Sequence, residues 1–409
     1  MTLLRQAPSF AYLKAILVAL GLGVSAACGG DGPVEPEPDP TPQPVQVPAL
    51  AVFGKGTVSE RYTAELWVHG NIAYTTTWGN RQAPGNAVKI WDVAGNTPVL
   101  RDSLIVVGAS TLGDVQVSDD GKLLVVATEF APGSIVIYDL ADPLKPRQIS
   151  RFSSENTQRG VHTAEVQRVN GKLYAFLSID PNPARLTIVD LSDPASPREV
   201  YSEIMGSPFV HDVFVRNGIL FAALWDGGVS ISDIGGAGAG TPAAPIKLST
   251  TATVGGNAHN IWWYRNASGA MRYAFVGEEI PGAIGSSSAG DIHVLDVSNL
   301  SSPREVAFFH VAGAGSHNFS VDEGRGILYA AFYNGGVRAL DITGDLGSCT
   351  AAQKSADGRC DLALMGREKA TGLLAERPVF VWGVQFVGGR VFASDMLNGL
   401  WKLGETPIN

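Results

Sequence analysis

Leu186-Thr187-Ile188-Val189-Asp190-Leu191-Ser192-Asp193-Pro194-Ala195-Ser196-Pro197-Arg198-Glu199-Val200 reads as a strand, a corner and the start of a second strand. The β-branched run favours extended backbone. Asp and Pro pre-set the turn, and the second Pro suits an outer edge strand, where a missing N–H costs no ladder bond. The corner recurs at 139–147 and 296–306. The run ending in Asp recurs as Val88-Lys89-Ile90-Trp91-Asp92, Ile135-Val136-Ile137-Tyr138-Asp139, Val229-Ser230-Ile231-Ser232-Asp233, Ile292-His293-Val294-Leu295-Asp296 and Val337-Arg338-Ala339-Leu340-Asp341. Leu400-Trp401-Lys402-Leu403-Gly404 is a seventh copy with Gly in the Asp place. The steps from Asp92 to Asp341 are 47, 51, 43, 63 and 45 residues, with 63 more to Gly404. A unit of about 45 residues is the period of propeller blades.

Each unit divides into four strands, A to D. In the fourth, 211–215 is strand A, Asn217-Gly218 a hairpin turn, 219–224 strand B, 229–233 strand C and 246–254 strand D. The B strands, such as Leu123-Leu124-Val125-Val126-Ala127, are apolar throughout, as strands buried on both faces should be. The C-terminus supplies strands A, B and C of a last unit but no D, whereas Ala49-Leu50-Ala51-Val52-Phe53 has no unit of its own. The fold expected is all-β: a seven-bladed β-propeller with four-stranded blades over residues 49–409, the N-terminal strand completing the last blade.

Composition agrees. The chain has 409 residues, 45% hydrophobic and 17% charged, with 48 glycines, which fits a turn-rich protein with a large core. A net charge of −9 argues against nucleic acid as a partner, since phosphate binding needs a dense basic surface.

Residues 1–27 read as a signal peptide, with Arg5 and Lys14 ahead of the apolar run 15–27. Val24-Ser25-Ala26-Ala27-Cys28 resembles a bacterial lipobox, with Ser25 where Leu is more usual, so Cys28 is the expected lipidation site. Residues 28–48 follow as a Pro-rich acidic tether, extended by its prolines. The reading is therefore of an exported protein, lipid-anchored to the cell envelope and facing the periplasm or cell surface. Cys349 and Cys360 remain, and outside the cytoplasm their default is a disulfide closing that loop.

The line LTIVDLSDPASPREV resembles the LVIVD repeat of secreted and lipid-anchored bacterial β-propellers, and the resemblance runs over essentially all of 49–404. The stretch RYTAELWVHGNIAYTTTWG from Arg61 and the lines HDVFV, HNIWW and GSHNFSV are similar to that family too. Blade four departs from it, with Gly235-Gly236-Ala237-Gly238-Ala239-Gly240 at the corner, expected to be a floppy hairpin. The resemblance implies the fold and export, and no catalytic activity.

His162, His211, His259 and His317 fall at the start of strand A in four consecutive blades, expected to ring one mouth of the central channel. The next polar position in register adds Glu65, Asp114, Glu165, Asp212, Asn260 and Asn318. The B–C loops at that mouth add Trp78, Glu129, Asp180, Trp225, Asp226, Glu278, Glu279, Tyr333 and Asp395. Imidazoles and carboxylates on one axis are what a divalent metal ion requires. They could equally hydrogen-bond a polar ligand, with Trp225 and Tyr333 as stacking faces. The plainer account is that such groups tie blade corners together and line a wet channel. His293, His310 and His69 are expected to be structural or solvated. No G-x-S-x-G, H-E-x-x-H, Walker loop or C-x-x-C is present. The leading expectation is a monomeric, non-catalytic module that binds a protein, glycan or small ligand at the His/Asp-lined mouth and meets the membrane through its lipid. The alternative is a metal-dependent enzyme built on the His ring.

Overall fold

The computed structural model describes residues 47–205 and 208–405. The stretch 1–27 expected to be a signal peptide, Cys28 and nearly all of the expected tether lie outside the described residues. Seven antiparallel sheets follow one another along the chain. Blade 1 runs from strand A (Tyr62–His69) to strand D (Val99–Ile105), and blades 2 to 6 repeat the order. Blade 7 takes strands A, B and C from Val381–Val387, Arg390–Asp395 and Gly399–Gly404. Its outer strand is Ala51–Thr57, paired from Ala51↔Gly404 to Thr57↔Gly399, so first and last strands close the ring as expected.

The repeated Asp has a local cause. At the end of strand C its carboxylate accepts the N–H two residues on: Ala94, Ala141, Ser192, Gly235, Ser298 and Thr343 donate to Asp92, Asp139, Asp190, Asp233, Asp296 and Asp341 at 2.8–3.1 Å. Such Asx turns stop the strand and aim the chain into the corner. The corner residues Asp142, Asp193 and Asn299 repeat the device toward Leu144, Ala195 and Ser301 at 3.0–3.1 Å. Each C–D pair also carries a register shift at the same level, between Ile188 and Val189 in blade 3 for example, which adds twist to the outer edge. Asn170 (φ 49°) and Asn217 (φ 50°) take the left-handed backbone that a two-residue hairpin demands.

The core lies between blades. Tyr74, Val88 and Ile90 of blade 1 pack on Val115, Val126 and Tyr138 of blade 2, and equivalent clusters fill the following interfaces. The seam is filled in the same way, by Phe392 and Leu400 of blade 7 against Leu66, Val68 and Trp91 of blade 1.

One blade carries an addition to its four strands, and one expectation needs correction. Blade 5 has five strands, because Cys360–Asp361 adds a parallel strand to its edge at Ala307 and Phe308. The Cys349–Cys360 disulfide holds that return, with Cα atoms 5.9 Å apart. The glycine loop of blade 4 is not floppy. Asp233 accepts N–H groups of Gly235, Gly236 and Ala237 on one oxygen and Gly240 on the other, at 2.8–2.9 Å. Burial alone would raise the Asp233 carboxyl, but these donors hold its pKa at about 2.

Candidate functional site

Aligning strand A across the ring gives one layer at its first inward position: Ala64, Gly113, His162, His211, His259, His317 and Trp382. The side chains of blades 3 to 7 stack as an arc, with ring centroids 4.2 Å apart for His162–His211, 4.3 Å for His211–His259, 4.1 Å for His259–His317 and 4.3 Å for His317–Trp382. Blade 2 could not add a fifth imidazole, since a Cβ on Gly113 would lie 2.0 Å from the His162 carbonyl oxygen. Trp382 was missed in the sequence, although Val381-Trp382-Gly383-Val384 aligns with Val210-His211-Asp212-Val213.

This layer is not an open mouth. His211, His259 and His317 are 7%, 3% and 1% exposed. An apolar lid of Tyr333, Phe380 and Met396, with Tyr62, Trp78, Ile284 and Leu397 packed around it, covers that end of the axis. The axial channel, of about 550 Å³, has its exposed wall residues (Asp119, Arg168, Asn217) in or beside the A–B turns at the other end. It narrows to the histidine layer as its floor.

The B–C loops reach the arc through two carboxylates. Glu279 turns Oε2 to His211 Nε2 at 3.5 Å and to His259 Nε2 at 3.6 Å, while Oε1 stands 3.9 Å from His317 Nε2. Tyr333 donates its hydroxyl to that Oε1. His317 donates Nδ1–H to the Trp382 carbonyl at 2.7 Å, which leaves the Nε2 lone pair facing Glu279. His162 turns away, its Nδ1 3.3 Å from Glu129 and 3.9 Å from Asp180, and Trp78 donates to Glu129 at 2.5 Å.

The charges divide accordingly. Burial would discharge His162, but Glu129 chiefly, with Asp180, raises its pKa to about 10. Burial and the neighbouring imidazoles push His211 and His259 well below the usual histidine range, and burial takes His317 to about 3. Burial raises Glu279 to about 7 against the opposing Tyr333 hydrogen bond. Three neutral imidazoles thus face one carboxyl group.

Above this floor the next rung holds Glu65, Asp114, Thr163, Asp212, Asn260 and Asn318. Glu165 is not in that register. It lies one rung further out, level with Phe214, because His162 is followed by Thr163-Ala164-Glu165 where His211 is followed by Asp212-Val213-Phe214. Trp382 and Asn318 donate to Glu65 at 2.7 and 2.6 Å, and Ala164 N–H donates to Asp114 at 3.0 Å. Burial, then repulsion from neighbouring carboxylates, raises Glu165 to about 8 and Asp212 to about 7 and lifts Glu65 as well, while burial alone raises Asp114.

Other loop residues disperse. Trp225 stacks on His211 at 5.2 Å, behind the arc. Asp226 is exposed beside Gly256. Glu278 points away from the axis, 3.7 Å from His293. Asp395 is spent inside blade 7, accepting from Phe380, Leu397, Asn398 and Trp401 at 2.7–3.0 Å. His310 is exposed and meets Asp291 at 2.7 Å.

The LVIVD repeat family matches residues 174–203 and 287–310, which are strands B to D of blade 3 and C to D of blade 5. No curated protein matches the chain in sequence. Among solved structures, the crystal structure of RRP9 WD40 repeats superposes with TM-score 0.60 at 13% identity, covering 88% of this chain and 99% of that one. The structure of U3-55K gives 0.59 at 13% identity, covering 87% and 98%. These likenesses concern the fold alone. The repeats, together with a disulfide, fit an extracellular protein. The chain is thus a seven-bladed β-propeller that carries LVIVD repeats in blades 3 and 5.

Proposed function

We propose that this propeller is an exported, envelope-tethered binding scaffold, non-catalytic, whose open axial channel takes a cationic group: a lysine or arginine side chain of a partner protein, or a small polyamine. The observation that carries it is the crowding of carboxyl groups on the channel wall, which an entering cation would relieve. Glu65, Asp114, Glu165 and Asp212 line it, while the cationic lining side chains among the described residues, His162, Arg168 and Arg216, are already engaged, His162 with Glu129. Arg168 pairs with Asp119 and Asp120 at 2.8 and 3.1 Å, and Arg216 with Glu323 at 2.5 Å while lying over the Phe214 ring. Crowded, partly desolvated carboxyls favour an entering cation, and a propeller face is wide enough to seat the protein that bears it. The tether reading rests on the lipobox-like 24–28 and the proline-rich stretch behind it.

Equilibrium dialysis with spermidine and with a lysine-rich peptide tests the channel, beside an acidic peptide. Binding of the cations alone, weakened about tenfold by E165Q and further by E165K, is the expected result. Equal uptake of both peptides, or indifference to E165K, counts against it. In bacteria expressing the full chain, C28A should move the protein from the membrane to the soluble fraction.

A further inference from the structure

The closed floor of the axis has a donor set that hydrogen bonding leaves unsatisfied. His211 and His259 have buried Nδ1 atoms without a hydrogen-bond partner, so it is their Nε2 atoms that meet other groups. Their Nε2 atoms face Glu279 at 3.5 and 3.6 Å, too long for N–H···O bonds. Those separations suit something between the atoms. Two ligand atoms bound at about 2.1 Å to one tetrahedral ion stand about 3.4 Å apart. One donor atom each from His211, His259 and Glu279 lies within 4.8 Å of the other two.

We propose that His211, His259 and Glu279 bind one divalent transition-metal ion of the zinc class. Two imidazole nitrogens and a carboxylate oxygen select such an ion over Mg²⁺ or Ca²⁺, which prefer all-oxygen shells. Tyr333 orients the carboxylate, holding Glu279 Oε1 so that Oε2 faces the two imidazoles. His162, though it touches His211, belongs to Glu129 and Asp180 and is left out of the set. The donors come from blades 4 and 5, so the ion would pin two strand A starts together beneath the apolar lid. The site lies at the floor of the same channel, but its donors are not the wall carboxyls that take the cationic group.

The test uses the full chain, stripped with a chelator and titrated with Zn²⁺ by calorimetry and with Co²⁺ by visible absorption. One equivalent of Zn²⁺ and the ligand-field bands of a low-symmetry N/O site for Co²⁺ are expected. E279Q, which keeps the shape of the side chain, and H259A should each weaken Zn²⁺ binding by roughly 100-fold or more, and H310A should leave it unchanged. Circular dichroism establishes that the variants fold; the wild-type Co²⁺ spectrum decides the matter even where one does not. No stoichiometric uptake by the wild-type chain, no such spectrum, or uptake that survives both E279Q and H259A overturns the assignment.

Discussion

His293 lies wholly buried in strand C of blade 5 (Ile292–Asp296), with Nδ1 2.9 Å from Glu305 and Nε2 3.7 Å from Glu278. Arg359 also reaches Glu305, so an imidazole, a guanidinium and two carboxylates share one pocket. Burial alone would discharge His293, but the two carboxylates outweigh it and bring its pKa to about 9. A histidine whose folded pKa exceeds its unfolded value of 6.5 contributes stability that is complete below about pH 6.5 and disappears as pH rises through about 9. H293Q should therefore cost about 3 kcal/mol at pH 6, and the gap to wild type should close between pH 6.5 and 9.5. Urea denaturation across that range measures it. A gap independent of pH would mean that the imidazole is neutral in the fold. The neighbouring pair Glu278 and Glu279 shows how much one position decides. Adjacent at the end of an extended segment, they leave on opposite sides, one to His293 and the other to the axial arc.

At the scale of elements, the strands that end in Asp carry their own punctuation, and that is why they were legible. The Asx turn at Asp139 needs only the N–H of Ala141, two residues away, so pattern and structure are tied locally. Blade 4 makes the same residue do more, since Asp233 gathers four N–H groups and replaces the missing Pro corner. D233A should cost about 2–4 kcal/mol in equilibrium unfolding and speed amide exchange over 235–240, whereas D139A should cost about 1 kcal/mol. Equal losses would show that the extra donors contribute nothing. What the sequence could not tell depends on contacts far apart along the chain. Which end of the axis is open is decided by Phe380 and Met396 folding over Tyr62 and Trp78. The place of Glu165 depends on where strand A enters the sheet, and the fifth strand of blade 5 on a disulfide return from a later insertion. The histidine row itself was readable as a row. Its pairing with Glu279, and the turning aside of His162, were set by neighbouring blades.

For the whole molecule, ring closure decides whether seven marginal sheets become one cooperative body. Strand Ala51–Thr57 covers the outer edge of Gly399–Gly404, Lys55 lies over the Trp401 ring at 4.7 Å, and Leu50 N–H reaches the Thr371 carbonyl of blade 6 at 2.7 Å. Without that strand blade 7 ends on a bare, largely apolar edge, the kind that pairs with other chains. Val58 would also leave the cluster that joins Phe392 and Leu400 to Leu66 and Trp91, so the seam loses core as well as ladder. Deleting residues 1–58 should therefore abolish the single cooperative transition and send the chain into aggregates on size exclusion. The loss is one of strand pairing, so a free peptide of residues 48–58 should restore a monomeric, cooperatively unfolding species by strand addition. A truncated chain that stays monomeric with unchanged melting would place the closure elsewhere. Failure of the peptide to rescue would mean that covalent entry of the strand, rather than its ladder, is what the ring requires.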